Sequence, residues 1–169
     1  MHIVLVEPEI PGNTGNIARL CAAEHLTLHL VEPLGFQIDD KHLKRAGLDY
    51  WDMLDVHVHP NYDSVVRMLE GHHFYLNTTK ALHSYTDISF GTDDVLVFGK
   101  ETKGLPEELL LNHEEDCIRI PMIEEARSLN LSNAVAIVAM EALRQAGFPH
   151  LLKQSGRLFK GGTKNNEYL

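Results

Sequence analysis

The sequence predicts an α/β protein built on a mostly parallel sheet with helices on both faces. Short runs rich in Val, Ile, Leu and Phe alternate with segments of helical periodicity, which is the pattern of repeated strand–helix units. No internal repeat and no Pro-, Gly- or Ser-rich linker interrupts this alternation. At 169 residues the chain is expected to form one domain over residues 1–152. Residues 153–169 are polar and basic, and we expect them to form a flexible tail.

The strands and helices follow in a regular order. Strands are predicted from β-branched and aromatic runs at residues 2–7, 27–32, 56–59, 73–77, 94–99 and 117–120. Helices are predicted at residues 14–24, 40–46, 62–70, 107–112 and 132–146, with Gly147 just after the last one. Residues 134–143 are almost entirely apolar, so this helix is expected to be buried inside the domain or against a partner chain. Asn130 or Ser132 is its expected N-cap.

Composition limits the possible functions. A net charge of −9 argues against a generic nucleic-acid binder, which normally carries a basic surface. Local basic patches, at residues 41–45 and in the tail, are compatible with selective binding. The two cysteines lie far apart in apolar segments, which predicts reduced thiols in a cytoplasmic protein. No apolar run reaches the roughly 20 residues that span a membrane, and the 11 histidines form no HExxH zinc motif.

The unusual residues collect where the predicted strands end. PEIPGNTGNIARLC follows the first strand, NTTK the fourth, GKETKGLP the fifth and PMIEEARSLNLSN the sixth. Ligands of open α/β sheets bind outside the carboxyl ends of the strands. The four loops are therefore expected to form one composite site, because purely structural turns would be scattered over both edges.

Arg19 is a candidate ligand-binding residue of the first loop. On a helix, Ile17 and Cys21 share the face that should pack on the sheet, whereas Gly15, Arg19 and Ala22 fall on the opposite side. Small neighbours would leave room beside Arg19 for a large group, and a guanidinium matches a phosphate bidentately. A surface ion pair is the alternative interpretation.

Other nucleotide-binding and hydrolase motifs fit poorly. Gly12 after the first strand and Glu32 at the end of the second imitate a dinucleotide-binding unit, but the glycines do not have the G-x-G-x-x-G spacing. GKETKG lacks the Lys-Ser/Thr of a P-loop. Ser128 has no G-x-S-x-G context, so a hydrolase triad is not supported.

Three segments together resemble a known family. NTGNIAR (residues 13–19), VLVFGKETKGLP (95–106) and IPMIEEARSLNLSNAVAI (120–137) resemble, in order and spacing, the three motifs of SPOUT-class RNA methyltransferases, in the SpoU-like branch that methylates ribose 2′-hydroxyls. The resemblance extends over nearly the whole chain. The short length, the opening EPEIPGNTGNIARLCA and RAGLDYW (45–51) are most similar to the small enzymes that methylate the tRNA wobble nucleotide.

This resemblance implies a fold, a cofactor and an assembly. The fold would carry a C-terminal trefoil knot, which the usual rule against threaded loops would not have suggested. Two chains would form a homodimer through helix 132–146. S-adenosylmethionine would lie in the knotted loops and leave as S-adenosylhomocysteine, with no metal involved. The residues expected to bind it are Asn77, Thr78, Gly99, Glu101, Gly104, Ile120, Ser128 and Leu129.

The resemblance also implies residue roles and a substrate. Arg19, Asn13, Ser128 and Asn130 are the expected catalytic residues. Glu101 is expected to order its loop or to contact a substrate, and not to act as a base. RNA contacts are expected from Asn16, Arg19, Lys41, Lys44, Arg45 and Lys80. The substrate would be the wobble nucleotide, a cytidine or modified uridine at position 34, in the tRNA anticodon stem-loop. A different tRNA or rRNA position, a nucleotide-cofactor oxidoreductase and a non-catalytic RNA-binding module are the alternatives.

Overall fold

The computed structural model describes residues 1–37 and 54–154. Its strands are β1 (His2–Val6), β2 (Thr27–Val31), β3 (Val56–His59), β4 (Phe74–Asn77), β5 (His83–Ser84), β6 (Val95–Phe98) and β7 (Cys117–Arg119). Its helices are α1 (Pro11–Glu24), α2 (Tyr62–Met68), α3 (Glu107–Asn112) and α4 (Leu131–Gln145), with short 3₁₀ turns at Tyr85–Asp87 and Glu114–Asp116.

The strands form one sheet in the order β3-β2-β1-β6-β4-β7-β5. Every neighbouring pair is parallel, so the carboxyl ends of all strands meet at one edge. Each strand predicted from the sequence is present, with ends that differ by at most a residue or so. The two-residue β5 was not predicted, because His83-Ser84 is too short to show an alternating pattern.

Helices cover both faces of the sheet, as predicted. On one face, α1 and α4 pack on alternate side chains of the central strands, including Ile3, Leu28 and Leu96. On the other face, Val65 of α2 and Leu110 of α3 pack on the remaining side chains, such as Val4, Val31, Leu76 and Val97. Burial from both sides explains why the central strands read as continuous hydrophobic runs.

The first helix begins earlier than the sequence predicted. Residues 11–13, which precede the predicted helix 14–24, form the first turn of α1, which starts at Pro11. Proline suits this position because its fixed φ is helical and its missing N–H would have had no partner inside the helix. The N–H groups of Asn13 and Thr14 donate to the Ile10 carbonyl.

The predicted open face of α1 is also wrong. Gly15 and Ala22 are buried, not exposed beside Arg19. The helix packs against α4 as well as on the sheet, and small side chains allow two helix backbones to approach closely. Arg19 itself is exposed. Gly15 and Ala22 are therefore covered within the protomer and do not form an open face beside Arg19.

The last helix is bounded much as predicted. Asn130 is its N-cap, because the side-chain oxygen of Asn130 accepts from the N–H groups of Ser132 and Asn133. Ala146 is the C-cap, and Gly147 follows with φ of +79°. The predicted helix 40–46, and with it Lys41, Lys44 and Arg45, lies outside the described residues, as does most of the predicted tail.

Candidate functional site

A cavity of about 540 Å³ opens at the carboxyl edge of the sheet. It lies between the segments that follow β1, β4, β6 and β7, which are the four loops singled out in the sequence. Apolar side chains such as Phe98, Leu105 and Ile118 line it together with polar groups. Its size falls within the roughly 300–1,000 Å³ of small-molecule sites.

The structure brings the predicted cofactor residues together. Every one of them lines this cavity, and so do Asn13, Asn130 and Lys80. Asn16 and Arg19 are not among the lining residues; both are exposed on α1. Further lining residues had been given no role in the sequence, although they lie in the same loops: Thr79, Lys100, Thr102, Lys103, Met122 and Arg127.

Glu101 fastens the β6–α3 loop to the start of α1. Its carboxylate accepts hydrogen bonds from the backbone N–H groups of Glu9 (2.8 Å) and Ile10 (3.2 Å) and from the side-chain amide of Asn13 (2.9 Å). A negative charge at a helix N-terminus is favourable because the helix dipole places positive potential there. Glu101 therefore holds its loop against the segment that leads into α1.

Asn13 extends this contact to the third motif. Its Oδ1 accepts a hydrogen bond of 2.9 Å from Nδ2 of Asn130, the N-cap of α4. Asn13 is also almost fully buried. Asn130, Asn13 and Glu101 therefore form a continuous hydrogen-bonded chain that joins the three motifs around the cavity. We call this chain the motif bridge.

A second set of contacts reinforces the same junction. The carboxylate of Glu9 accepts from the backbone N–H of Thr102 (3.1 Å) and from its hydroxyl (2.8 Å). Lys100 pairs with Glu7 at 2.5 Å, and this hydrogen bond raises the pKa of the lysine. The segment after β1 and the loop after β6 are thus held together by reciprocal polar contacts.

Two glycines of the second motif are required by the fold of the loop itself. A Cβ on Gly99 would lie 2.1 Å from the Gly104 carbonyl carbon and 2.2 Å from the Leu105 nitrogen. Gly104 has φ of +70°, a region that disfavours other L-residues. Gly99 is therefore required because the chain's own backbone occupies the space that a side chain would need.

Asn77 leaves an unsatisfied acceptor beside the cavity. Its Nδ2 donates to the Val97 carbonyl at 3.3 Å, whereas its buried Oδ1 has no hydrogen-bond partner among the described residues. A buried polar atom without a partner carries a desolvation cost of about 1–3 kcal/mol. The apolar lining and the cavity size fit a nucleoside-containing ligand.

Residues 1–37 and 54–154 contain no candidate metal cluster and no candidate membrane-spanning helix. These residues hold no group of three or more His, Cys, Asp or Glu side chains suited to a metal ion. Within the same ranges, none of the helices has the length and apolarity needed to cross a bilayer.

Comparison with known proteins identifies the family. A sequence model of the SpoU rRNA Methylase family matches residues 1–140. The chain belongs to this family. A putative tRNA (cytidine(34)-2′-O)-methyltransferase from Listeria monocytogenes is 53% identical over 156 residues, which cover 90% of this chain and 92% of the relative.

Solved structures agree with this assignment to the SpoU family. One, from work on the 2-OH methylation of C/U34 on tRNA, superposes with a TM-score of 0.83 at 42% identity and covers 86% of this chain and 95% of its own. A second, an AdoMet-bound rRNA methyltransferase from Sinorhizobium meliloti, has a TM-score of 0.76 at 26% identity and covers 89% of this chain and 56% of its own. The predicted SPOUT-type α/β fold is thereby confirmed, whereas the knot stays a prediction from the resemblance.

Proposed function

We propose that this SpoU-family protein is an S-adenosylmethionine-dependent methyltransferase that modifies the ribose 2′-hydroxyl of the tRNA wobble nucleotide, position 34. The observation that carries the proposal is the motif bridge. Three sequence motifs, far apart in the chain, are joined by side-chain hydrogen bonds around a nucleoside-sized cavity. The relatives named above support the substrate, since they are described as acting on C34 or C/U34 of tRNA.

The cavity would hold the cofactor with the residues predicted for it. Asn77, Gly99, Ile120 and Leu129 would offer backbone groups to the adenosine, with Thr78, Gly104 and Ser128 alongside. When bound, S-adenosylmethionine supplies an electrophilic methyl group and leaves as a neutral thioether. The protein therefore has no developing oxyanion to stabilise on the leaving group, and its task is to align two substrates and assist the loss of one proton.

Alignment can supply much of the rate enhancement. Holding a nucleophile in attack geometry is worth roughly 7–11 kcal/mol by effective-molarity arguments. Asn13 and Asn130 were predicted to be catalytic, but their side chains are engaged in the motif bridge. We therefore assign them the positioning of the cavity loops. Ser128 lines the cavity and stays the candidate for direct contact with a substrate.

Arg19 would act on the RNA. It lies outside the cavity lining, exposed on α1 one helical turn from Asn16. Its guanidinium stays protonated in proteins, so it cannot serve as a free base. We assign it the clamping of a phosphate and the polarisation of the ribose hydroxyl, with Asn16 beside it.

The proposed substrate agrees with the charge of the chain, and the proposed cytoplasmic location agrees with its cysteines. An anticodon loop presents unpaired nucleotides that can be splayed out, which suits an acidic chain with only local basic patches. Two free cysteines, Cys21 and Cys117, are both buried, as expected for a cytoplasmic protein.

We also propose a homodimer through α4. Its residues Asn133, Ile137, Met140 and Arg144 form an exposed stripe, in which Ile137 is 36% and Met140 39% exposed. Apolar side chains at helical spacing on a surface fit a second copy of the same helix.

The direct test is methyl transfer to tRNA. Incubation with S-adenosylmethionine, nuclease digestion and mass spectrometry should reveal a ribose-methylated residue at position 34. Methylation mapped to the D-loop or to rRNA would keep the reaction and overturn the substrate; the family name and the rRNA methyltransferase of similar fold favour that second candidate. A calorimetric titration with no heat of S-adenosylhomocysteine binding would overturn the reaction class and revive the RNA-binding module. Retention on a nicotinamide-nucleotide resin would point to an oxidoreductase.

A further inference from the structure

A second cavity, of about 380 Å³, lies next to the proposed cofactor cavity. The two share Lys80, Lys100, Lys103, Gly104 and Leu105 as lining residues. The second cavity is completed by Val6, Glu7, Pro106 and Glu107. We call it the lysine cavity, because three of its nine lining residues are lysines.

The charges in the lysine cavity are unevenly balanced. Three lysines face two glutamates, which leaves a surplus of one positive charge in a chain whose net charge is −9. Lys100 pairs with Glu7, and Lys80 forms a hydrogen-bonded ion pair with Glu107. Lys103 is exposed and has no carboxylate partner among the described residues.

The two ion pairs differ in how easily they can be exchanged. The side chains of Lys100 and Glu7 are 29% and 33% exposed, whereas those of Lys80 and Glu107 are 60% and 77% exposed. Exposed ion pairs contribute little to stability because water and salt screen them. Lys80 can therefore leave its ion pair with Glu107 for an incoming anion. Lys100 remains paired with Glu7 as part of the cavity lining.

We propose that the lysine cavity binds a backbone phosphate of the RNA substrate through Lys103 and Lys80. This inference rests on the proposed function, because it places a phosphate one cavity away from the methyl donor. Two lysines can bind a phosphate as point charges, and the loops after β4 and β6 bring them to the edge of the sheet where the cofactor cavity opens. Glu107 then acts as a competitor that occupies Lys80 until RNA arrives.

Substitutions at Lys103 and Glu107, which line the same cavity, should change RNA affinity in opposite directions. Lys103→Gln removes a phosphate contact, so RNA affinity should fall several-fold and the slope of log K against log salt should become shallower by about one contact. Glu107→Gln releases Lys80, so RNA affinity should rise and the slope should steepen. Lys103→Arg keeps the charge and should restore most of the affinity.

The measurement is fluorescence anisotropy of a labelled anticodon stem-loop RNA, over a series of NaCl concentrations, with the full-length enzyme saturated with S-adenosylhomocysteine. Matched controls change the same net charge outside the cavity: Arg67→Gln, on α2, for the lysine, and Glu108→Gln, next along α3, for the glutamate. Both control residues are exposed and neither lines the cavity. Each control should leave the salt slope at the parent value.

Several results would overturn the phosphate site. If Lys103→Gln and Arg67→Gln change RNA affinity and its salt slope equally, the effect comes from overall charge and not from a site. The same conclusion follows if Glu107→Gln and Glu108→Gln change them equally. A loss of S-adenosylhomocysteine affinity in Lys103→Gln, with no loss for 5′-methylthioadenosine, would show that the lysine binds the cofactor carboxylate instead. Because RNA binding is read without turnover, the site can fail while the parent still methylates position 34, and the proposed function can fail while the site holds.

Discussion

Asn130 donates a hydrogen bond from Nδ2 to Oδ1 of Asn13 at 2.9 Å, across 117 residues of sequence. Each partner has a second task. Asn130 caps α4 with its Oδ1, and Asn13 donates to Glu101. Because the oxygen and the nitrogen of each amide are both engaged in this way, the two side chains hold the cavity loops in one arrangement.

Replacement of Asn13 by alanine should lower the stability of the protein more than the loss of so small a side chain suggests. It leaves Asn130 Nδ2 and one Glu101 oxygen short of a partner in a part-buried setting, at a cost of about 1–3 kcal/mol. Urea unfolding should show this loss, and S-adenosylhomocysteine affinity should fall with it. Asn16→Ala, on the exposed face of the same helix, should change stability by no more than about 0.5 kcal/mol. Equal stability of the two variants would contradict a bridging role.

The sequence predicted which residues line the site better than it predicted the role of each residue. Loops at the carboxyl ends of parallel strands must lie at one edge, so the cofactor residues could be placed together before any coordinates. The motif resemblance then selected them one by one. Which side chains hold the loops depends on contacts such as Glu101 with Glu9 and Ile10. Such contacts join residues far apart in sequence, and no local pattern reveals them.

Gly99 should not tolerate a side chain. An added Cβ would meet backbone atoms of Gly104 and Leu105 at 2.1 and 2.2 Å, and backbone cannot rotate away as a flexible side chain can. Gly99→Ala should therefore cost about 3 kcal/mol, the upper part of the range for overpacking, and weaken cofactor binding. The control is Gly12→Ala in α1, where nothing lies within 4 Å of the new Cβ. That variant should be neutral or more stable by up to about 1 kcal/mol, and a thermal melt separates the two outcomes.

The errors of the sequence interpretation share one physical origin. Gly15 and Ala22 were placed on an open face because a helical wheel shows which residues share a side, and not which partner covers that side. The contact between α1 and α4 depends on tertiary packing, which a helical pattern does not show. The early start of α1 was hidden by Gly12, since glycine lowers helix propensity and tertiary contacts override it.

Arg19 should be needed for methyl transfer and not for the cofactor. It does not line the cavity, so Arg19→Ala should bind S-adenosylhomocysteine within about twofold of the parent, a difference below about 0.4 kcal/mol. Its methyl transfer should fall by about 100-fold or more, as for the loss of one transition-state contact. Calorimetry and a single-turnover assay measure the two effects. Arg19→Lys keeps the charge without the bidentate fork and should recover only part of the rate. A folded Arg19→Ala variant with weakened cofactor binding would refute this assignment.

A chain of histidines crosses β1, β2 and β3 on the α2 face of the sheet. His2 Nδ1 lies 3.0 Å from His29 Nε2, and His29 Nδ1 lies 2.9 Å from His59 Nε2. His29, at the centre, is fully buried. Burial, reinforced by the neighbouring histidines, lowers the pKa of His29 to about 3 and is also the main reason that the pKa of His2 falls to about 4. The charged or titratable groups around this chain are the Met1 amino group, Asp55, His57, His72 and Asp93.

Stability should therefore fall as the pH drops below about 6.5. In that range the unfolded histidines bind protons and the folded ones do not, so protonation favours the unfolded state. For His29 alone the loss between pH 8 and pH 5 is about 2 kcal/mol, in a window where ordinary carboxylates scarcely titrate. Urea unfolding at a series of pH values measures it. His29→Gln should flatten the dependence, whereas His83→Gln, on the exposed β5, should leave it unchanged. A pH-independent parent would contradict the neutral histidine chain.

A test of the homodimer requires a different substitution from the one that the sequence alone suggests. Val138 is the mid-helix choice on the pattern of residues 134–143, but it is completely buried within the protomer. A charge there would be unpaired in the core, so Val138→Glu should unfold the chain and reveal nothing about assembly. Its exposed neighbours on the stripe are the informative positions.

Met140→Glu should convert a dimer into a folded monomer. Met140 is 39% exposed in the protomer, so a glutamate there stays solvated in the monomer and becomes costly only when a second copy of α4 covers it. Light scattering should give a dimer for the parent and a monomer for Met140→Glu, with a circular dichroism spectrum like that of the parent. Arg67→Glu, which changes the charge of an exposed residue on α2, should remain dimeric. A parent that is monomeric at the concentration of the assay, yet fully active, would show that α4 is not an interface.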